Sequence, residues 1–253
     1  MALTPSDEQQ LLRDAARSFL EDNSPVSRMR ELRDERDATG FSRELWKAMA
    51  DLGWLGIQFA EEHGGSASAR GLGDVAIIMA ECGRVLAPEP LLSTVMLSAT
   101  ALRLSANEPL QTEILPAVAA GERLIAFAFE ETGRFDPYAV DTAAVPAEGG
   151  YSITGEKRYV LDGHTADQFV VVARTSGSRG DRDGLLLLLV DAAAEGVAVQ
   201  RTTMVDGRNA ARVVFDGAPV GAARVLGDAG LLDDVLDQAT LGLAAEMVGM
   251  ADE

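Results

Sequence analysis

Cysteine is almost absent from this chain. Cys82 is the only one in 253 residues, so no internal disulfide can form, and the chain reads as one made for a reducing compartment. Histidine is nearly as scarce. His63 and His164 lie far apart in sequence, and with one cysteine they leave no metal-ligand spacing. Basic residues are few: 22 Lys and Arg stand against 40 Asp and Glu, for a formal net charge of −18. That balance argues against nucleic acid and against anionic membrane surfaces as partners. An anionic ligand would need local donors to overcome the global field. Long apolar runs are missing too. GLLLLLVD at 184–191 is far too short to span a bilayer and reads as a buried strand. The N-terminus carries no basic-plus-apolar signal, so a cytoplasmic location is expected.

Several chemical motifs are also lacking. WLGIQFAEEHGGSASARGLGD (54–74) is Gly-rich and precedes a helical pattern. It has neither a preceding strand nor a phosphate-loop spacing, so it reads as a connection between helices. No G-x-S-x-G elbow marks a serine nucleophile. Both histidines fall in loops and have no visible nucleophile or ligand partner. The pairs Glu61–Glu62 and Glu130–Glu131 are adjacent, and neighbours on a strand point to opposite faces. A facing acid/base dyad is therefore not expected; one member should cap or pair and the other be exposed. RMRELRDERD (28–37) alternates charge sign, the mark of a solvated helix face.

What is present divides into two regimes. With 47% apolar residues the chain is long enough for a sizeable core. Up to about residue 118 the period is helical. Ser6 or Thr4 can cap a first helix carrying Leu11, Leu12, Ala15, Phe19 and Leu20. Ser42 can cap another, with Leu45, Met49 and Leu52 inward and Gly53 closing it. GLGDVAIIMAECGRVLAPEP, LLSTVMLSATALRLS and NEPLQTEILPAVAAGE supply three more. From about residue 122, short apolar runs alternate with Gly-rich turns. They predict an antiparallel sheet or barrel without crossover helices. The expected organisation is a helical domain over 1–118, a β domain over 119–223 and a further helix over 224–253. Leu232, Val235, Leu236, Ala239, Leu243, Met247 and Met250 recur there at helical steps. No stop signal follows, and such a stripe needs a partner surface. AFAFEETGRFD (126–136) ends a strand in two acids and a Gly-Arg turn, a junction whose backbone N–H groups can face a polar ring or a pyrophosphate.

In order and spacing, these phrases resemble the acyl-CoA dehydrogenase family. The segments that carry the resemblance are ELWKAMADLGWLGIQFAEEHGGSA, AECGRVLAPEPLLSTVMLSATAL, ILPAVAAGERLIAFAFEE, YSITGEKRYVLDGHTADQFVVVART and FDGAPV before the final helix. EETGRFD and KRYVLDG are most similar to the small subunits of pimeloyl-CoA-type dehydrogenases. The resemblance implies an α+β fold: a helical N-terminal domain, an antiparallel middle β-barrel and the start of a C-terminal helical bundle. It also implies that the chain stops after that bundle's first helix, leaving the stripe poorly ordered, repacked or partnered by another chain.

The implied chemistry is α,β-dehydrogenation of an acyl-CoA thioester with FAD, passing electrons to an electron-transfer flavoprotein. The implied flavin contacts are Phe127, Phe129 and Glu130, the last two largely through backbone groups, with Tyr159, Val160 and Leu161. Tyr159 would cover one ring face, and Arg134 could take the pyrophosphate. Three departures stand out. Glu130 and Leu161 replace family threonines, and GRFD shortens a turn that normally holds a serine. The family's base lies in the C-terminal domain or at a position matching Ala239; Asp237 and Glu246 read as helix-surface acids. No catalytic residue is assigned. The competing readings are a non-catalytic subunit of a heteromeric dehydrogenase and a flavin-free binding module.

Overall fold

The computed structural model describes residues 5–252 apart from 67 and 69. Helix α1 spans Asp7–Asn23. Its cap is Ser6, whose hydroxyl accepts from the Gln9 N–H while the Gln9 side chain accepts from the Ser6 N–H, a reciprocal capping box. Thr4, the alternative cap, lies outside the described residues. Helix α2, Val26–Asp34, buries none of its residues, as its alternating charges predict. In α3, Arg43–Asp51, Ser42 caps and Leu45 and Met49 are buried. Leu52 is instead 51% exposed, because the buried face of α3 is centred on Trp46, Met49 and Ala50 and Leu52 falls beyond its edge. Helix α4 is Gly71–Arg84. The expected single helix after it is a π-helix, Leu91–Ala99, running into α5, Thr100–Leu104; α6 is Glu108–Ala119.

Eight strands follow: β1 Ile125–Ala128, β2 Ala143–Ala147, β3 Gly150–Leu161, β4 Gln168–Arg174, β5 Leu185–Asp191, β6 Val197–Thr203, β7 Asn209–Gly221 and β8 Val225–Asp228. Their order is β6-β7-β3-β2-β4-β5-β8, with β1 added to β4. The sheet is antiparallel except at β4, which β1 joins in parallel and β2 touches at one parallel pair. β1 arrives from α6 rather than through a hairpin, so no tight turn fixes its direction. On β4, Phe169, Val171 and Ala173 pack into the sheet's own core, while Val170 and Val172 pack against the helices. β5 alternates likewise, with Leu188 and Val190 on one side and Leu187 and Leu189 on the other. Burial on both faces is why these strands read as continuous apolar runs.

The last helix, α7, is Ala229–Asp252. Of the outcomes expected for it, the structure shows packing within the chain, for α7 lies along α4 and the π-helix. Leu232, Val235 and Ala239 are buried as their spacing predicts. Beyond Ala239 the inward positions are Gly242, Glu246 and Gly249, while Leu243, Met247 and Met250 are exposed. Backbone proximity selects that face. A Cβ on Gly83 of α4 would overlap the Glu246 carbonyl oxygen, and one on Gly249 would overlap that of Ala80. Two helices this close need glycine at the crossing, and an apolar-period count gives glycine no weight.

Candidate active-site cleft

A cleft of about 420 Å³ opens between the end of β1, the end of β3, the π-helix and α7. Its floor begins with Phe127, the last helix-facing side chain of β1. Phe129 follows just past the strand, its ring 5.7 Å from that of Phe127 and 6.0 Å from that of Phe135. The segment is pinned from beneath. Lys157 of β3, 0% exposed, donates to the Phe129 carbonyl at 3.1 Å and to the Glu131 carboxylate at 2.6 Å. The Arg158 N–H donates to the Glu130 carbonyl at 2.8 Å. The carbonyls of Phe129 and Glu130 therefore both accept internal bonds.

Glu131 also accepts from the N–H groups of Asp141 and Thr142, at 2.7 and 3.0 Å. Burial pushes this carboxyl up, but Lys157 and those hydrogen bonds outweigh it and hold Glu131 below the usual range. Burial in turn pulls Lys157 down to about 8, even beside Glu131. Glu131 is thus the pairing member of its doublet. Glu130 is not the exposed member that the sequence predicts. It is partly buried and lines the cleft, and burial raises its pKa.

The opposite wall depends on an irregularity in β3. Between Lys157 and Val160 its pairing with β7 slips by one residue, a bulge that re-aims side chains. Within it Tyr159 has φ +52°, a left-handed conformation that costs a non-glycine residue about 1 kcal/mol. The phenol is left 40% exposed on the cleft, and Leu161 lines it two residues on. Val160 between them is 1% exposed and packs in the sheet core. Strand alternation sends it to the other face, so of the seven residues singled out by sequence, it alone is not brought to the cleft. Arg134 lines the cleft from an exposed turn, where the Thr132 hydroxyl donates to its carbonyl at 2.8 Å.

Helix α7 contributes Leu236, Ala239, Thr240 and Leu243. It contributes no acid there: Asp237 is exposed, and Glu246 is buried elsewhere against Arg208. Glu246 therefore corrects the expectation of a surface acid. Glu130 is the one carboxylate among the described residues lining the cleft. No group of three potential metal ligands occurs among the described residues, and no described helix is long and apolar enough to cross a membrane. Sequence reasoning missed Lys157, and no period in β3 marked it, since the buried positions of that strand are Ile153, Lys157 and Val160.

Comparisons with known proteins decide the family. Residues 6–122 match the acyl-CoA dehydrogenase N-terminal domain, and residues 126–218 match the acyl-CoA dehydrogenase middle domain. The chain belongs to the acyl-CoA dehydrogenase family. It is 28% identical to an acyl-CoA dehydrogenase of Bacillus subtilis, over 98% of this chain and 66% of that protein. Identity is also 28% to a caffeyl-CoA reductase–Etf complex subunit of Acetobacterium woodii, over 97% and 66%. A solved structure described as a Tcur3481–Tcur3483 steroid ACAD variant superimposes with a TM-score of 0.85 at 32% identity, over 97% of this chain and 64% of that one. The chain thus spans just under two thirds of these relatives. Its cleft lies where the two matched domains meet α7.

Proposed function

We propose that this acyl-CoA dehydrogenase-family chain is a flavin-dependent dehydrogenase subunit acting on an acyl-CoA thioester, of the pimeloyl-CoA-type small-subunit kind, and works in the cytoplasm. The observation that carries this reading is the convergence of Phe127, Phe129, Glu130, Arg134, Tyr159 and Leu161 on one cleft. The residues fit a flat aromatic cofactor. Phe127, Phe129 and Tyr159 offer apolar ring surface, and Arg134 offers a charge-assisted donor for phosphate at an exposed rim. Bound there, FAD would supply the electron sink for removal of two hydrogens from the thioester's α and β carbons. The chain's own part is to position the ring and to exclude water through Leu92, Leu97, Leu236 and Leu243, with burial raising the pKa of the Glu130 carboxyl that lines the same cleft.

A second reading, a non-catalytic subunit of a heteromeric dehydrogenase, is favoured by two residues. Ala239 stands where a base would be sought, and Leu161 offers no hydroxyl to the cleft. Relatives described as an Etf complex subunit and as a two-component ACAD make electron-transfer flavoprotein and a second dehydrogenase chain the partners to seek. One experiment separates the readings. The purified chain is titrated with FAD and followed at about 450 nm, where oxidised flavin absorbs, then titrated with acyl-CoA. Saturable binding that Tyr159→Gly weakens supports the flavin subunit. A folded chain that takes up no FAD refutes it and leaves the assembly role.

A further inference from the structure

The carboxyls in and around the cleft are satisfied from within the chain, with one exception. Glu131 is paired with Lys157. A second cavity of about 180 Å³ adjoins the cleft and shares Leu92 and Leu161 with it as lining residues. This polar chamber is acid-rich, but its acids have internal donors. Glu89 accepts from Arg28 at 2.5 Å, Asp162 from the Ser93 hydroxyl at 2.6 Å, Asp206 from the Arg208 N–H at 3.0 Å and Glu246 from the Arg208 guanidinium. The exception is Glu130. It is partly buried and lines the cleft, yet among the described residues no hydrogen bond or ion pair reaches its carboxyl.

Few groups in the cleft favour a charge on it. Arg134 stands on the exposed turn after β1, and Tyr159 on β3 is the other titratable lining residue. Lys157 lies beneath, its ammonium already on the Phe129 carbonyl and on Glu131. The π-helix, the β6–β7 turn and α7 present only uncharged side chains to the cleft. Burial alone moves the Glu130 pKa, and moves it up. This setting favours the neutral acid, which unlike the carboxylate has an O–H to donate. Phe127, Phe129 and Tyr159 offer ring surface to the faces of a flat cofactor, which leaves the carboxyl for its edge. The polar edge of an isoalloxazine is mostly acceptor: carbonyl oxygens and unprotonated ring nitrogens against a single N–H. A carboxylate can only accept, so it opposes most of that edge, whereas a neutral acid can bond to it. We propose, on the flavin reading given above, that Glu130 binds the flavin as a neutral carboxylic acid, its O–H donating to an acceptor on the ring's polar edge, so that flavin binding takes up a proton.

The test is titration of the whole chain with oxidised FAD, read by absorbance and flavin fluorescence, at several pH values from about 5 to about 7.5, below the Lys157 titration near 8. The expected Kd rises with pH, approaching on the order of tenfold per pH unit once Glu130 is ionised in the free chain. Glu130→Gln keeps an N–H donor and cannot titrate, so its Kd should be flat across pH and close to the parent's low-pH value. Glu130→Ala should also be flat, but weaker than Glu130→Gln by on the order of fivefold for want of the donor. Each variant is confirmed folded by circular dichroism, and either one supplies the pH comparison if the other fails to fold. Calorimetry in buffers of different ionisation enthalpy should show proton uptake on FAD binding by the parent near neutral pH and none by Glu130→Gln. Riboflavin, which has the same ring edge and no phosphate, should reproduce the pH response and so exclude a phosphate contact of Arg134 as its source. FAD binding that is independent of pH, that tightens as pH rises, or that keeps the parent's pH response in Glu130→Gln overturns the proposal and leaves the flavin reading standing. A folded chain that binds neither flavin at any pH overturns both.

Discussion

Lys157 is the residue whose replacement tests the site's construction most directly. Methionine keeps the apolar stem and removes the ammonium. In Lys157→Met, Glu131 keeps its donors from Asp141 and Thr142 but loses its counter-charge, and the Phe129 carbonyl loses a donor. Breaking one side of a buried ion pair typically costs about 3–5 kcal/mol. The two surviving N–H donors place this case near the lower end, at about 3 kcal/mol. Urea denaturation followed by circular dichroism at pH 7 gives the value.

Adding Glu131→Gln supplies the check. A neutral amide can still accept from Asp141 and Thr142 without an unpaired charge, so the double variant should recover about 1–2 kcal/mol relative to Lys157→Met. The pH response follows from the Glu131 shift. Its folded pKa is depressed, so its contribution is present above the unfolded value and is lost as pH falls through the folded one. Lys157→Met should shrink that acid loss. A cost below about 1 kcal/mol for Lys157→Met, with no recovery in the double variant, would refute the claim that this pair holds the cleft floor.

Three further outcomes are expected. Gly83→Ala should destabilise by about 1–3 kcal/mol in thermal unfolding, although alanine ordinarily favours a helix by about 1 kcal/mol, because its methyl would strike the Glu246 carbonyl; a stabilised variant would mean a looser crossing. Burial pushes the folded Asp162 carboxyl up to about 6 from its ordinary 3.8, so the folded state binds more protons between those values and stability falls as pH rises through that window. Asp162→Asn should therefore gain up to about 3 kcal/mol over the parent at pH 8 and almost nothing below pH of about 4, as read from urea midpoints across pH. Tyr159→Gly should raise stability by up to about 1 kcal/mol through relief of the left-handed backbone, while weakening FAD binding; loss of both together would show that the ring's packing matters more than its backbone.

The layer order was legible because it depends on hydrophobic period, which local sequence carries. Helical steps gave α1, α3 and α7, and two-sided burial of β4 and β5 explains the apolar runs that marked them as strands. Six cleft residues were legible through a family resemblance, since nothing in FAFEE or RYVLD alone says that the two segments meet. Strand alternation separates Val160 from Tyr159 and Leu161, but the resemblance had placed all three together at the flavin. The direction of β1 and the π-helix were not legible, because each is set by tertiary pairing: the Thr94 hydroxyl of the π-helix donates to the Ile125 carbonyl of β1 at 3.1 Å.

The second half of α7 shows why the polar chamber was missed, and what its position means. Reading apolar residues as inward puts Met247 and Met250 in the core and leaves Glu246 to solvent. The glycines of the α4–α7 crossing reverse that choice, and the same rotation carries Glu246 under the helix toward Arg208 and Asp162. A helix register set by backbone contact thus decides which side chains are functional candidates. It also bears on the departure at Leu161. Leu161 walls both cavities, and Asp162, the next residue, lines only the polar one. An apolar residue at 161 presents one side chain to both an acid-rich chamber and a mostly apolar cleft, where a second unpaired carboxylate beside Glu130 would be costly. Leu161 is then the boundary between two chemistries.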